Sequence, residues 1–597
     1  MSYSTCRRRC APAVGAALAV AIAAPALALD VLSSTPTRFA FAIQPTLSAI
    51  TVTFDAPVLL PAPAAFRVAG SMSGLHGGTL DASGATLTLH NLTRAFQPGE
   101  VVTVNLRSSI HATTGGAALV GGRMFSFTIA SGPCTPDWSN VTVYPASITP
   151  YYIYGGDLDG DGRPDLAVPN EGTNDVSVFR NTAGIGAFPV HTDYPVGTRP
   201  SSVFGEDLDN DGDQDLATAD INGSTVTVLR NTGSGTFSLV AHYPVANEAR
   251  QVAGADFDGD NDIDLCATSR GSNEVYLFTN AGNGTFTSQA LSTVSRGPFA
   301  IRCADLNNDG HVDIAVACQT ADSLTVLLND GIGNFFRSGA YAIADGPWDL
   351  SCNDFDADGD CDLVCAASFA NRLTVLRNDG TGKFPTRTQL VSGAWPLAAF
   401  TADLDGDGDI DAMASNYVSA SVSLFRNDGA GNFTAWGTLA TSIAGSYAWA
   451  HDLDGDGDLD LSVVDEEADE LFVFLNGGTT VDAGDARPAA GGPGWGTRLR
   501  AFPNPVRGGN ALHLRLEWDT PPAGPAPHAD MDRAPRADIY NVAGRWIRRL
   551  LPTAGSNSIE WRWNGHDAAG RGVAAGRYVA VVRGAGPRRT VPIQVVR

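Results

Sequence analysis

Apolar and polar residues alternate with a period of two along much of this chain. Residues 50–54 (ITVTF), 86–89 (TLTL), 101–104 (VVTV) and 125–129 (FSFTI) read as strands with one buried face. The pattern recurs further on, at 216–219, 225–229, 236–243 and 251–255. Turn formers separate the runs: 66 Gly and 34 Pro are spread throughout, a density that suits many short strands rather than long helices. The expected fold class is all-β. At 597 residues the chain is too long for one core and divides into three or four domains.

The middle of the chain is periodic. The acidic stretch DLDGDGRPDL begins at Asp157, and its relatives begin at Asp207, Asp256, Asp305, Asp354, Asp403 and Asp452. The first step is 50 residues and the next five are 49, because the first Asn-rich turn, NTAGIGAF at 181–188, is one residue longer than turns such as NDGIGNF at 329–335. Two short β segments lie between acidic stretch and turn, a third follows the turn, and a fourth precedes the next acidic stretch. Four short strands per 49 residues describe one blade of a β-propeller. Residues 138–145 (WSNVTVYP) resemble 237–244 (FSLVAHYP), the last strand of a blade, whereas the seventh repeat stops at 476–478. The early strand is therefore expected to complete the seventh blade and close the ring.

Each acidic stretch is read as a nine-position cation loop. Positions 1, 3, 5 and 9 supply carboxylates, position 6 the sharp bend and position 7 a backbone carbonyl. Taken at positions 1, 3, 5, 7 and 9, the candidate ligands are Asp157, Asp159, Asp161, Arg163 and Asp165 in the first loop and Asp207, Asp209, Asp211, Asp213 and Asp215 in the second. The third has Asp256, Asp258, Asp260, Asp262 and Asp264, and the fourth Asp305, Asn307, Asp309, His311 and Asp313. The fifth has Asp354, Asp356, Asp358, Asp360 and Asp362, the sixth Asp403, Asp405, Asp407, Asp409 and Asp411, and the seventh Asp452, Asp454, Asp456, Asp458 and Asp460. An all-oxygen set suits a hard cation, and a flexible one suits Ca²⁺ over Mg²⁺, up to seven in all. Position 12 carries Val168, Thr218, Ala267, Val316, Cys365, Ala414 and Val463, with no acid, so these are not EF-hands. Asn307 removes a carboxylate and should weaken the fourth loop. Asn261 replaces the bend glycine of the third, a position Asn tolerates.

The D-x-D-x-D-G-x-x-D loop, the period and the downstream turn resemble the FG-GAP/VCBS repeats of integrin-α-type propellers over residues 138–478. The resemblance implies a seven-bladed propeller whose loops bind calcium at the positions named. In that reading the cations are structural staples.

The ends look different. Arg7, Arg8 and Arg9, an apolar run from 11 to 29 and Ala26, Leu27 and Ala28 at a small-x-small site read as a secretory signal over 1–29. Residues 30–131 resemble a bacterial Ig-like sandwich, which is expected to space or present the propeller (132–480). A linker covers 481–497. Residues 498–597 carry 16 Arg against 7 acids. Their succession FPNP (502–505), ADIYNVAGR (537–545), WNGHD (563–567) and GRY (576–578) resembles hook-cap-type and type IX secretion sorting domains. That implies contact with export machinery and release to, or display on, the bacterial cell surface. Of the cysteines beyond the signal, a Cys352–Cys365 disulfide across a hairpin and single buried thiols are the two alternatives.

The formal charge is −25 and falls to −28 without the signal's three arginines. Seven divalent cations would halve that. The acidity is therefore internal ligand charge, and nucleic acid is excluded as a partner. No HExxH, GxSxG or phosphate loop is present, and the ten His are scattered, so the chain reads as a binding or adhesion module and not an enzyme. A polysaccharide lyase is the alternative. Six positions before each acidic loop stand Tyr151, Ser201, Arg250, Phe299, Trp348, Leu397 and Ser446, with Trp395, Tyr447 and Trp449 nearby. They should ring the channel mouth opposite the acidic loops, where a glycan or protein ligand would stack on aromatic faces, unless they serve to pack blade on blade.

Overall fold

A computed structural model of the chain describes residues 28–477, apart from 115, 135, 183 and 292–293, and strand segments between 498 and 596. Residues 1–27 and 478–497, and with them the signal and the linker, lie outside the described residues. Strands dominate; the helical elements are two 3-10 turns, Pro63–Ala65 and Gln319–Ala321. Among the described residues no helix is long and apolar enough to cross a membrane.

The first part is a sandwich of two four-stranded sheets. One runs Val31–Thr35, Ala49–Phe54, Thr86–His90, Thr79–Ser83; the other runs Gly74–Leu75, Phe66–Gly70, Val101–Leu106, Arg123–Thr128. The alternation seen in sequence is the inward set: Ile50, Val52, Phe54, Leu87 and Leu89 meet Val68, Val102, Val104, Phe125 and Phe127. Leu29 is already part of this core, so the folded module starts one residue before the boundary drawn at 30.

Seven four-stranded antiparallel sheets follow in a propeller-like array. The second is typical: Pro200–Glu206, Asp215–Asp220, Thr225–Asn231 and Phe237–Pro244, hydrogen-bonded in that order. The strand entering each acidic loop opens a sheet, and the loop joins it to the second strand. The second strands are buried on both faces, which explains their small or β-branched content (DLATAD, DIAVAC) in place of strict alternation. The outermost strands face solvent and are polar. The seventh sheet takes three strands from its own repeat, Gly445–His451, Asp460–Asp465 and Glu470–Leu475; its fourth is Asn140–Pro145, with Leu475 opposite Asn140 and Glu470 opposite Pro145. Trp138 anchors this strand, buried against Leu459 and Leu461, with its indole N–H on the Leu459 carbonyl at 3.2 Å.

The sandwich does not merely precede the array. It sits on the acidic-loop side. The backbone N–H of Asp157 donates to Met72 O (2.7 Å), Met124 N–H to Gly310 O (2.6 Å) and Gly132 N–H to Gly457 O (2.6 Å). Arg38 pairs with Asp305 at 2.8 Å, and Arg67 with Glu206 at 3.2 Å. In the C-terminal part the described strands form a four-stranded and a five-stranded sheet, ending with Gly586–Val596. Residues 503–505, 542–545 and 564–575 of the sorting-type motifs lie outside the described residues.

Removing the closing anchor should loosen the whole array. Trp138→Ala is expected to cost about 3–5 kcal/mol, the range for a buried Trp truncation, read as a lower midpoint in chemical denaturation of the full chain.

Candidate metal centres and the channel

The acidic loops are built by a repeated hydrogen-bond scheme. The first aspartate receives the N–H of the sixth-position residue: Gly162 on Asp157 at 3.0 Å, Gly212 on Asp207 at 3.2 Å, Asn261 on Asp256 at 2.9 Å. The bend residue needs a left-handed backbone, and φ is +85° at Gly162 and +68° at Asn261, which is why Asn is accepted there. The ninth-position aspartate is bonded on both oxygens. Its Oδ2 accepts the N–H of position 2, as for Leu158 on Asp165 at 3.2 Å and Leu453 on Asp460 at 2.8 Å. Its Oδ1 accepts the backbone N–H of the asparagine that ends the third strand. That residue is Asn181, Asn231, Asn280, Asn329, Asn378, Asn427 or Asn476, and the distance is 2.6–2.9 Å.

The same asparagines tie neighbouring sheets. The side-chain amide of Asn231 donates to Leu158 O, Asn280 to Leu208 O, Asn329 to Phe257 O, Asn378 to Leu306 O and Asn427 to Phe355 O, at 2.7–2.8 Å. Asn181 donates to Leu453 O at 2.7 Å, which joins the first sheet to the seventh. The sequence marked these asparagines only as turn residues; their sevenfold recurrence was the available signal for a larger role.

Six groups of three or more ligand atoms lie within 4.8 Å of one another among the described residues. They include Asp157/Asp159/Asp165, Asp207/Asp209/Asp215, Asp354/Asp356/Asp362 and Asp403/Asp405/Asp411, at positions 1, 3 and 9, and Asp256/Asp258/Asp260, at positions 1, 3 and 5. The fifth-position carboxylates Asp161, Asp211, Asp358 and Asp407 stand outside the four groups so built. Several loop oxygens are buried without a hydrogen-bond donor: Oδ1 of Asp258, Asp305, Asp356, Asp403 and Asp454, and both oxygens of Asp458. Unpaired buried carboxylate oxygens converging at this spacing fit a hard divalent cation. Arginines approach some of the same groups: Arg230 lies 2.6 Å from Asp209, and Arg377 and Arg426 contact Asp356 and Asp405. At position 7, Arg163 turns its guanidinium to Asp161 and Thr182 O, and the His311 ring meets Arg123 at 3.2 Å. In the fourth loop Asn307 donates to Asp309 at 2.9 Å.

Without a cation these carboxyls are strained electrostatically. Asp165 and Asp362 are pushed up to about 7, Asp215, Asp264, Asp313 and Asp411 to about 8, and Asp460 to about 9. Burial is the largest cause. The asparagine N–H opposes it, and the other acids of the loop add to it.

The channel has two storeys. Tyr152, Gln251, Arg302, Asp349 and Tyr447, from five different sheets, form a closed polar belt. Arg302 bonds Asp349 (3.1 Å) and Tyr447 Oη (3.0 Å), the Tyr447 hydroxyl reaches Tyr152 Oη (2.8 Å), and Gln251 reaches Asp349 (3.3 Å). On the sandwich side of the belt lies a chamber of about 300 Å³, walled by Tyr154, Phe204, Phe400 and Trp449 and roofed by Arg67, Ser71, Thr103 and Asn105. On the other side all seven residues expected at the mouth do line one small cavity: Tyr151, Ser201, Arg250, Phe299, Trp348, Leu397 and Ser446. They also pack on each other. Trp348 packs on Phe299 with its ring tilted by 46° (4.5 Å) and donates to Tyr151 Oη (2.7 Å), and Arg250 lies over the Phe299 ring (4.8 Å). Trp395 is further out, half-exposed against Phe369. Trp449 belongs to the chamber and not to the rim, whereas Tyr447, a member of the belt, also lines the mouth cavity.

The cysteines decide between the two alternatives left open for Cys352 and Cys365. Cys352 and Cys365 are both free thiols. Cys352 stands opposite Leu363 and Cys365 opposite Leu350, so the two do not face each other across the hairpin.

The FG-GAP-like repeat family matches residues 157–218, 207–267, 256–316 and 354–414, so the array carries FG-GAP-like repeats. No curated protein matches the sequence. Among solved structures, a proposed 6-phosphogluconolactonase from Bacteroides fragilis is similar at 14% identity, covering 68% of this chain and 100% of its own, with a TM-score of 0.42. A protein from Lactobacillus plantarum is similar at 13% identity, covering 64% and 98%, with a TM-score of 0.41.

Cation removal should make stability depend on pH. A carboxyl raised in the folded state contributes stability below its unfolded value near 4, and that contribution is lost as pH rises through the folded value. Metal-free protein should therefore lose stability steadily between about pH 4 and pH 9. Millimolar calcium should flatten that slope, as read by thermal melts across pH with and without EGTA.

Proposed function

We propose that the chain is an exported, seven-bladed FG-GAP/VCBS-type propeller whose acidic loops are filled by calcium, and that it binds an extracellular glycan or protein through the mouth opposite those loops. The observation that carries this reading is the placement of the sandwich. It covers the acidic-loop side, so the opposite mouth is the concave surface left to a partner. That mouth offers Trp348 packed on Phe299 and hydrogen-bonded to Tyr151, with Arg250 alongside, a combination suited to a sugar face or to a protein hot spot. The flanking sandwiches are read as Ig-like modules, the C-terminal one serving export or surface display.

A non-catalytic role is part of the proposal. The two histidines nearest the loops are tied to the sandwich. His311 meets Arg123, and His451 is buried with Nδ1 3.2 Å from the Met72 sulfur and its basicity pushed down to about 3 by burial. Calcium fits the loops through its tolerance of six to eight oxygen ligands in irregular geometry. In this reading it fixes the loops on which both the ring and the sandwich rest.

The test is a glycan and matrix-protein array probed with the full chain. Calcium-dependent binding weakened about tenfold or more by Trp348→Ala supports the reading. Binding unchanged by that substitution, or steady conversion of a polysaccharide to unsaturated products, overturns it.

A further inference from the structure

We propose that Cys266 and Cys303 are joined as a disulfide in the exported protein, a covalent link between the third and fourth sheets beside the weakest acidic loop. The proposal rests on the export reading for its oxidising surroundings.

The geometry is specific to this pair. The two sulfurs lie 3.5 Å apart although 37 residues separate them. Cys266 is on Asp264–Ser269 of the third sheet, opposite Ala253, and Cys303 is on Pro298–Ala304 of the fourth, opposite Ile314. A bond near 2.05 Å needs the sulfurs to approach by about 1.5 Å. Other thiols are engaged elsewhere: Cys318 with Val316 O and Thr325, Cys365 with Ala366 O. Cys352 and Cys361 are the second sulfur neighbours, one before the fifth loop and the other within it.

The position gives the link a purpose. Cys266 stands two residues after Asp264, the last ligand position of the third loop, and Cys303 two residues before Asp305, the first of the fourth. The fourth loop has Asn307 in place of an aspartate and so holds a cation least well. A covalent tie at its entry holds the strand that a bound cation holds elsewhere. Arg38, on Asp305 at 2.8 Å, braces the same loop from the sandwich.

The chemistry balances with a low-molecular-weight disulfide as oxidant. Cys303 is half-buried and lines the chamber, whereas Cys266 is fully buried, so Cys303 reacts first. Its thiolate attacks one sulfur of the oxidant and expels one thiolate, forming a mixed disulfide. The Cys266 thiolate then attacks the Cys303 sulfur and expels the second. Two protein thiols lose two protons and two electrons, and the oxidant leaves as two thiols.

The test is peptide mass mapping of the full chain, alkylated under non-reducing conditions, both from an exporting host and after incubation of reduced protein in a glutathione redox buffer. A linked peptide pair containing residues 266 and 303 is expected in both, with a melting temperature that falls by about 4 °C on reduction. Cys303→Ser should show the lower value without reductant and no further fall with it. Full alkylation of both thiols in the redox buffer, or a Cys352–Cys361 link in their stead, overturns the pairing. Free thiols in the exported chain overturn the proposal, whereas a chain that stays inside the exporting host but forms the link in the buffer overturns the export reading and leaves the pairing standing.

Discussion

The seven-sheet array depends on one repeated interaction: an asparagine at the end of each third strand that is bonded in two directions. Its backbone N–H holds the last aspartate of its own acidic loop. In six of the seven sheets its side-chain amide holds the second residue of the loop before it, Asn181 joining the first sheet to the seventh, while Asn476 of the seventh turns its amide to Cys134 Sγ. These bonds are buried, where an unpaired amide or carbonyl would cost about 1–3 kcal/mol, so each one specifies the neighbour as well as stabilising it. The acidic loops are thus not appendages on a finished ring. They are the joints of the ring.

That arrangement concentrates charge in the joints. Every loop gathers about four acidic side chains, several of them buried and without donors. A bound cation would relieve this, and the arginines Arg230, Arg377 and Arg426 do part of the same work from within the array. The sandwich then reads the shaped loops through backbone carbonyls at Gly310 and Gly457 and through Arg38 and Arg67. Loop geometry, ring closure and sandwich docking are in this way one mechanical system, and the free mouth with Trp348 and Phe299 lies on the side it does not occupy.

Much of this was legible in the sequence because it is periodic. A 49-residue repeat reports strand count, loop position and turn chemistry seven times over, and the likeness of 138–145 to 237–244 locates the strand that pairs with 470–475. The mouth residues were legible for the same reason, since a fixed offset in a repeat is a fixed place in space. Of the two cysteine alternatives only register could choose: Asn353 pairs with Asp362 across the loop, which sets Cys352 opposite Leu363 and Cys365 opposite Leu350, and both stay free thiols.

By itself, then, the amino-acid sequence determined the all-β class, the repeat, the cation-loop chemistry and the closing strand, since each is a local pattern written in consecutive residues. Only the tertiary structure decided that the sandwich caps the acidic loops, that Trp449 turns into the chamber rather than to the rim, and that Cys266 meets Cys303. Those contacts join residues from 37 to nearly 400 positions apart. They follow from which surfaces pack together, and no local pattern encodes that.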